Sequence, residues 1–403
     1  MRLLLTWGLF ITLIGNLPAA DWPQWRGPQQ NGISPETIST NWPEAGPSKV
    51  WTARVGTGFS GCVVQGDHLV TMGNENEHDL VICLQASTGK ELWRHTYPSP
   101  LDPNLFEGGP TSTPTIANGR VYTLSRRGHA CCLDLKSGQV AWELELQEQT
   151  EANIPAWGFA AAPVVTSFGI LLNMGSHGLL VDARNGSIIW KSDNEDDAGY
   201  ATPVLIPGTM PQQALVLSGK SLQQVQVDSG DIVWQYRWIT RYGVNAADPH
   251  LVPDGILLSS GYGKGATLLK VGDSANAPSE VWRSRELRNQ MSPGVVIDGY
   301  IYAVDGDAGT EPSLKCLDVA TGEVQWTEEG LGSATLFAAS NQLIVLSDQG
   351  ELLVAGASPR EFTVSCRAKV LDGKCWTVPT LANGMLYCRN AEGVLICLHV
   401  AGP

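Results

Sequence analysis

Past its first twenty residues the chain has no apolar run long enough to cross a bilayer, and no segment shows a long helical period. A polytopic membrane protein and a helical bundle are both excluded. Basic residues are few: 26 Lys and Arg stand against 40 Asp and Glu, a net charge of −14 that argues against nucleic acid or anionic lipid as partner. There is no Cys-x-x-Cys-His stretch to attach haem, and no Gly-x-Ser-x-Gly elbow ahead of a helix to support hydrolase chemistry. The histidines at 68, 78, 95, 129, 177, 250 and 399 form no short ligand pair, so no metal site is predicted. Gly261–Gly265 is Gly-rich but lies between β-rich runs without the helix a phosphate loop needs, and reads as a turn. Asp193–Asp197 lacks the ligand spacing of a calcium loop and reads as a solvated connection, as does Asp305-Gly306-Asp307.

What the chain does have is a repeated phrase, a Gly followed four residues later by a Trp. It occurs as Gly89/Trp93, Gly138/Trp142, Gly186/Trp190, Gly230/Trp234 and Gly322/Trp326, with weaker echoes ending at Trp282 and Trp51. Trp positions 51, 93, 142, 190, 234, 282 and 326 are separated by 42, 49, 48, 44, 48 and 44 residues, a period typical of propeller blades. Within a unit, short β-rich runs alternate with turns such as Asn118-Gly119, Arg127-Gly128 and Ser137-Gly138, which predicts four antiparallel strands per repeat. One such sheet cannot cover both of its faces, whereas a ring of them can. The Trp would dock blade to blade, and the Gly would leave room for a ring to lie on backbone.

Counting units predicts an all-β, eight-bladed β-propeller of four-stranded antiparallel blades. Seven blades end near Trp93, Trp142, Trp190, Trp234, Trp282, Trp326 and a degenerate Phe362. The last run supplies three strands and stops, so Ser48–Ala53 near the N-terminus is expected to complete it and close the ring. Residues 1–20 read as an export signal: Arg2, an apolar stretch from Leu3 to Ile14, and a small-residue site at Leu17-Pro18-Ala19-Ala20. They contain no Cys, so a lipoprotein anchor is not indicated. The expected division is a signal peptide over 1–20, an N-terminal extension over 21–47 and the propeller over 48–403, with the protein exported, periplasmic or extracellular. Four of the nine cysteines, Cys83, Cys132, Cys316 and Cys397, share one repeat position and read as small packing residues. Adjacent Cys131 and Cys132 would face opposite sides of a strand, which argues against a vicinal disulfide; pairing of Cys366 with Cys375 stays open.

The phrases Cys132–Trp142 and Cys316–Trp326 resemble the tryptophan-docking repeat of pyrroloquinoline-quinone-type propellers, over roughly residues 45 to 403. That superfamily includes the quinoprotein alcohol dehydrogenases and an eight-bladed outer-membrane assembly lipoprotein that binds no quinone. The opening Asp21–Pro28, with Asn31–Ser34, Ala156–Phe159, Ser260–Gly265 and Gly373–Trp376, is similar to exported quinone-like propellers of planctomycete-type bacteria. If the resemblance extended to enzymes, the quinone would need a calcium ion, a base and a flat aromatic floor. Asp248 is then the candidate base, Asn245 a cation ligand, Trp157 or Trp238 the floor, and Arg241, Arg288 and Arg389 the partners of quinone carboxylates. The chain is short for such an enzyme, and its vicinal cysteines sit inside a repeat strand instead of a loop beside the cofactor. The preferred reading is therefore a non-catalytic scaffold without cofactor, binding a protein partner or small ligand at a propeller face. A calcium- and quinone-dependent alcohol dehydrogenase is the alternative.

Overall fold

The computed structural model describes residues 20–102, 106–272, 276–307 and 310–401; the expected signal segment lies outside them except for Ala20. Among these residues the strands form eight antiparallel sheets of four consecutive positions, arranged as propeller blades. Blade one spans 63–98, blade two 115–145, blade three 164–191 and blade four 204–237. Blade five spans 250–284, blade six 295–328 and blade seven 335–369; blade eight joins 380–399 to 48–54. The one α-helix among the described residues is Leu146–Thr150, and no helix is long and apolar enough to cross a membrane.

The burial patterns follow from the ring. Middle strands such as His68–Glu75 are buried on both faces, because each blade is covered by two neighbours. Outermost strands such as Glu91–Pro98 alternate, with Trp93 and Tyr97 inward and charged residues outward. The first strands of adjacent blades, Val63–Gln65 and Thr115–Ala117 for example, meet around the axis. Hairpins that need two residues at positive φ have them, as at Asn118-Gly119 (φ 51° and 72°) and Asn383-Gly384 (56° and 73°).

In every blade the pairing of the third and fourth strands shifts by one residue just before the Trp slot. The bulge turns the side chain at that slot toward the next blade, and at five of the eight joints a turn Gly receives an indole there. A Cβ built on Gly89 would come within 2.6 Å of the Trp51 ring, and one on Gly138 within 2.6 Å of Trp93; Gly186, Gly230 and Gly322 meet Trp142, Trp190 and Trp282 in the same way. Each Gly therefore accommodates the Trp of the blade before it, so the two halves of one phrase act at two different joints. The indole Nε1 donates across the same joint: Trp51 to the Ala86 carbonyl at 2.9 Å, Trp93 to Leu135 at 2.8 Å, Trp190 to Val227 at 2.8 Å. Trp234 is the exception, buried with no partner for its Nε1 among the described residues.

Register corrects the reading of blade seven. Cys366, not Phe362, occupies the Trp slot, opposite Val354, while Phe362 lies 5.4 Å from the Trp326 ring and extends the joint behind it. The next blade offers no turn at that place because its third and fourth strands come from opposite ends of the chain: Ser48–Arg54 pairs with Val394–His399. Cys83, Cys132, Cys316 and Cys397 each lie directly across the strand pair from Trp93, Trp142, Trp326 and Trp51. All nine cysteines are free; Cys131 and Cys132 enter different core clusters, on opposite faces of their sheet.

Residues 20–47 run under the ring. Trp22 bridges to Val64, Ile33–Ser34 adds a parallel strand to blade seven, and Glu36 accepts hydrogen bonds from the Asn383 and Gly384 amides at 2.7 Å each. These contacts bring the Trp25-Arg26 turn up into the channel.

Candidate functional site

Loops between blades and the central hairpins of blades two and five line a cavity of about 450 Å³ at the upper end of the axis. Its walls are aromatic: Phe59, Phe106, Trp157, Tyr200, Tyr262 and Trp376. Phe106 stacks on Trp157 at 5.4 Å and meets Trp376 edge-on at 4.9 Å, while Phe59 stacks on the other side of Trp376 at 5.7 Å. The Lys374 ammonium stands 4.7 Å from the Phe106 ring centre and 4.6 Å from that of Trp376, and is paired with Glu107 at 2.6 Å. These side chains come from five inter-blade connections and one hairpin of blade five, so only ring closure gathers them.

The N-terminal segment supplies the floor. Trp25 lines this cavity and also a small space below it, so its indole stands between the two. Its Nε1 donates to Asp248 Oδ2 at 2.7 Å, and the Thr202 amide donates to Oδ1 at 2.8 Å. Arg26 lies beneath, 3.9 Å from Asp248, and donates to the Asn31 and Gly294 carbonyls at 3.1 Å each. His250 Nε2 donates to the Pro293 carbonyl at 2.7 Å, so the ring is neutral and Nδ1 accepts from Arg26 at 3.3 Å. Burial raises the Asp248 carboxyl above the ordinary range, and Arg26 partly offsets this. Burial first and Arg26 second push the His250 imidazole down to about 3. The turn is held by Gly27, whose φ of 78° and contact with Trp22, 2.8 Å from a would-be Cβ, admit no larger residue.

Of the residues singled out in the sequence, Trp157 and Asp248 line the cavity. The others are elsewhere. Asn245 is fully buried between blades, donating to the Ser218, Gly219 and Trp238 carbonyls and accepting from Ser260 Oγ. Trp238 is buried, its Nε1 on Ser260 Oγ and its face under Lys264 at 4.3 Å. Arg241 is exposed over Tyr242. Arg288 grips Asp305 with Nε and Nη2 at 3.0 and 2.8 Å. Arg389 is sealed at the joint between blades eight and one, where its two Nη atoms donate to Ser60, Met72, Gly56 and Gly58 carbonyls and Thr71 Oγ1 at 2.7–3.1 Å. Burial with no carboxylate beside it brings its guanidinium down to about 10. Tested against a calcium-bound quinone, the cavity does not fit: Asp248 is the one carboxylate among its described lining residues, both oxygens already accept hydrogen bonds, and no arginine but Arg126 faces the space. Sequence reasoning missed Phe59, Phe106 and Trp376 as a group, and Trp25 as the floor. The signal available was Trp25 in the quoted opening motif and Trp376 in Gly373–Trp376.

Fold and site together define a class: a closed eight-bladed propeller of the pyrroloquinoline-quinone repeat type, plugged from below and aromatic above. The chain belongs to the family described as outer membrane protein assembly factor BamB, whose profile matches residues 42–154 and 101–328, together more than half of the sequence. It is 26% identical to outer membrane protein assembly factor BamB of Moranella endobia (strain PCIT) over 372 residues, 88% of this chain and 80% of that one. Against the protein of the same name from Escherichia coli (strain K12) it is 24% identical over 365 residues, 88% and 79% of the two chains. Among solved structures, BamB from Moraxella catarrhalis superposes with a TM-score of 0.64 at 15% identity, covering 88% of this chain and 99% of that one. Quinohemoprotein alcohol dehydrogenase from Comamonas testosteroni gives 0.70 at 13% identity, covering 96% and 82%. At such identities the structures speak for fold alone. The protein is exported, periplasmic or extracellular.

Proposed function

We propose that the protein is a non-catalytic scaffold for outer-membrane protein assembly, binding a partner polypeptide in the aromatic cavity on the upper face of its ring. The observation that carries this reading is the cavity itself: stacked, half-exposed aromatic walls from many blades, one paired cation at the rim, and a floor whose single carboxylate is already bonded. Aromatic side chains offer large, rigid contact area to a partner's apolar or aromatic side chains at little entropic cost. Membership of the assembly-factor family supports the choice of a protein partner. A photo-crosslinking residue at Phe106, which is 49% exposed, tests it in the native host. The expected result is an adduct with a component of the outer-membrane assembly machinery that is lost in a Trp157→Ala, Trp376→Ala double variant. Saturable binding of pyrroloquinoline quinone with calcium, accompanied by dye-linked alcohol oxidation, would overturn it in favour of the dehydrogenase.

A further inference from the structure

The outer edge of the first joint carries a cluster that the sequence spacing conceals. His95 lies on the last strand of blade one; His129 and Cys131 on the third strand of blade two, and Glu143 on its last. One nitrogen of each imidazole, the Cys131 Sγ and a Glu143 carboxylate oxygen all lie within 4.8 Å of one another. The individual separations are 3.9 Å from Cys131 Sγ to His95 Nε2, 3.9 Å from Cys131 Sγ to Glu143 Oε1, and 2.5 Å from His95 Nε2 to Glu143 Oε1. Around tetrahedral zinc, bonds of about 2.0–2.3 Å set ligand atoms roughly 3.3–3.7 Å apart, a value these distances bracket. His129 carries the two marks of a ligating imidazole: Nδ1 is held by Glu145 Oε1 at 2.6 Å, and Nε2 is buried with no hydrogen-bond partner. Tyr97 packs against His129 at a ring separation of 4.1 Å, its plane tilted by 34°.

We propose that His95, His129, Cys131 and Glu143 bind one zinc ion that clamps the first blade to the second. The chemistry of the donors selects the ion. Two neutral imidazoles, a thiolate and a carboxylate balance the charge of a divalent cation, and the mixture of nitrogen, sulfur and oxygen suits zinc over calcium or magnesium. The ion takes the place of the hydrogen bond between His95 Nε2 and Glu143: the neutral His95 imidazole ligates through Nε2 with its one proton on Nδ1, and the Cys131 thiol proton passes to solvent. Cys131 is completely buried, whereas His95 and Glu143 reach the surface and give the ion an entry path.

The test uses the mature chain, stripped with a chelator and titrated with zinc alone by calorimetry, and separately with cobalt(II) followed by absorption. The expected result is one equivalent of zinc, a raised melting temperature, and a cobalt spectrum with thiolate charge transfer and tetrahedral d–d bands. Cys131→Ser removes the charge-transfer band, and His95→Ala, at the partly exposed rim, lowers zinc affinity at least ~10-fold. No saturable zinc binding, an octahedral cobalt spectrum without thiolate character in the unmodified protein, or binding that both variants leave unchanged would overturn the proposal.

Discussion

The rim of the ring and its upper cavity are built by opposite rules. At the rim one arrangement recurs: an indole crosses to a neighbouring turn, a Gly receives it, and a backbone carbonyl accepts its N–H. In the cavity one position recurs but its side chain does not: the residue four before the first strand of a blade lines it as Phe59, Thr111, Tyr200, Ala246, Met291 or Trp376. Phe106 and Trp157 lie outside that position, and the Trp25 floor comes from outside the blades altogether. Repetition marks what every blade must do to be covered by its neighbours, and departure from repetition marks what only this protein does.

That contrast can be broken in graded steps. The largest loss is expected where the ring closes: Arg389→Met leaves five buried acceptors without their donor and should cost about 4 kcal/mol or more in denaturant-unfolding experiments. Gly138→Ala should cost about 3 kcal/mol, because φ is 70° there and the new methyl would lie 2.6 Å from Trp93. Comparing indoles sharpens the rule: Trp93→Phe gives up a hydrogen bond and should lose about 1–2 kcal/mol more than Trp234→Phe, whose Nε1 has no acceptor to forfeit. On the cavity side, Trp157→Ala should change stability by less than about 1 kcal/mol while abolishing partner crosslinking.

The floor adds a pH dependence. His250 is held neutral, with its pKa lowered from 6.5 to about 3, so the unfolded chain binds a proton that the folded one refuses. Its contribution is complete above about pH 6.5 and is lost as the pH falls toward 3, at roughly 1 kcal/mol per pH unit. Denaturation midpoints measured from pH 7 to pH 4 should fall more gently in His250→Gln than in the unmodified protein.

The ring was legible because its signals are local and repeated. Turn pairs, strand lengths and the Gly-to-Trp spacing gave eight blades, and the unpaired final strands placed Ser48–Ala53 beside them. Blade seven misled because Cys366 carries none of the Trp signal, and the nearby Phe362 imitates it. The site was far less visible. Arg389 looks like an anion partner by residue type, yet its five acceptors are scattered between residues 56 and 72, more than three hundred positions away. Phe59 and Trp376 stack although they lie at opposite ends of the sequence: they share one position of the repeat, and only closure makes their blades neighbours. His95 and His129 meet because consecutive blades repeat their strand positions, so a gap of a few tens of residues becomes a contact.

Closure by the first and last strands also bears on how the ring can form. Ser48–Arg54 comes ahead of all seven other blades in the chain, and its hydrogen-bonding partner, Val394–His399, comes after them. Without that pairing the arc of blades has an unpaired sheet edge, and the contact that closes it spans most of the sequence. Sharing its strands between the two ends of the sequence therefore makes blade eight the one blade that cannot form from a continuous stretch of chain.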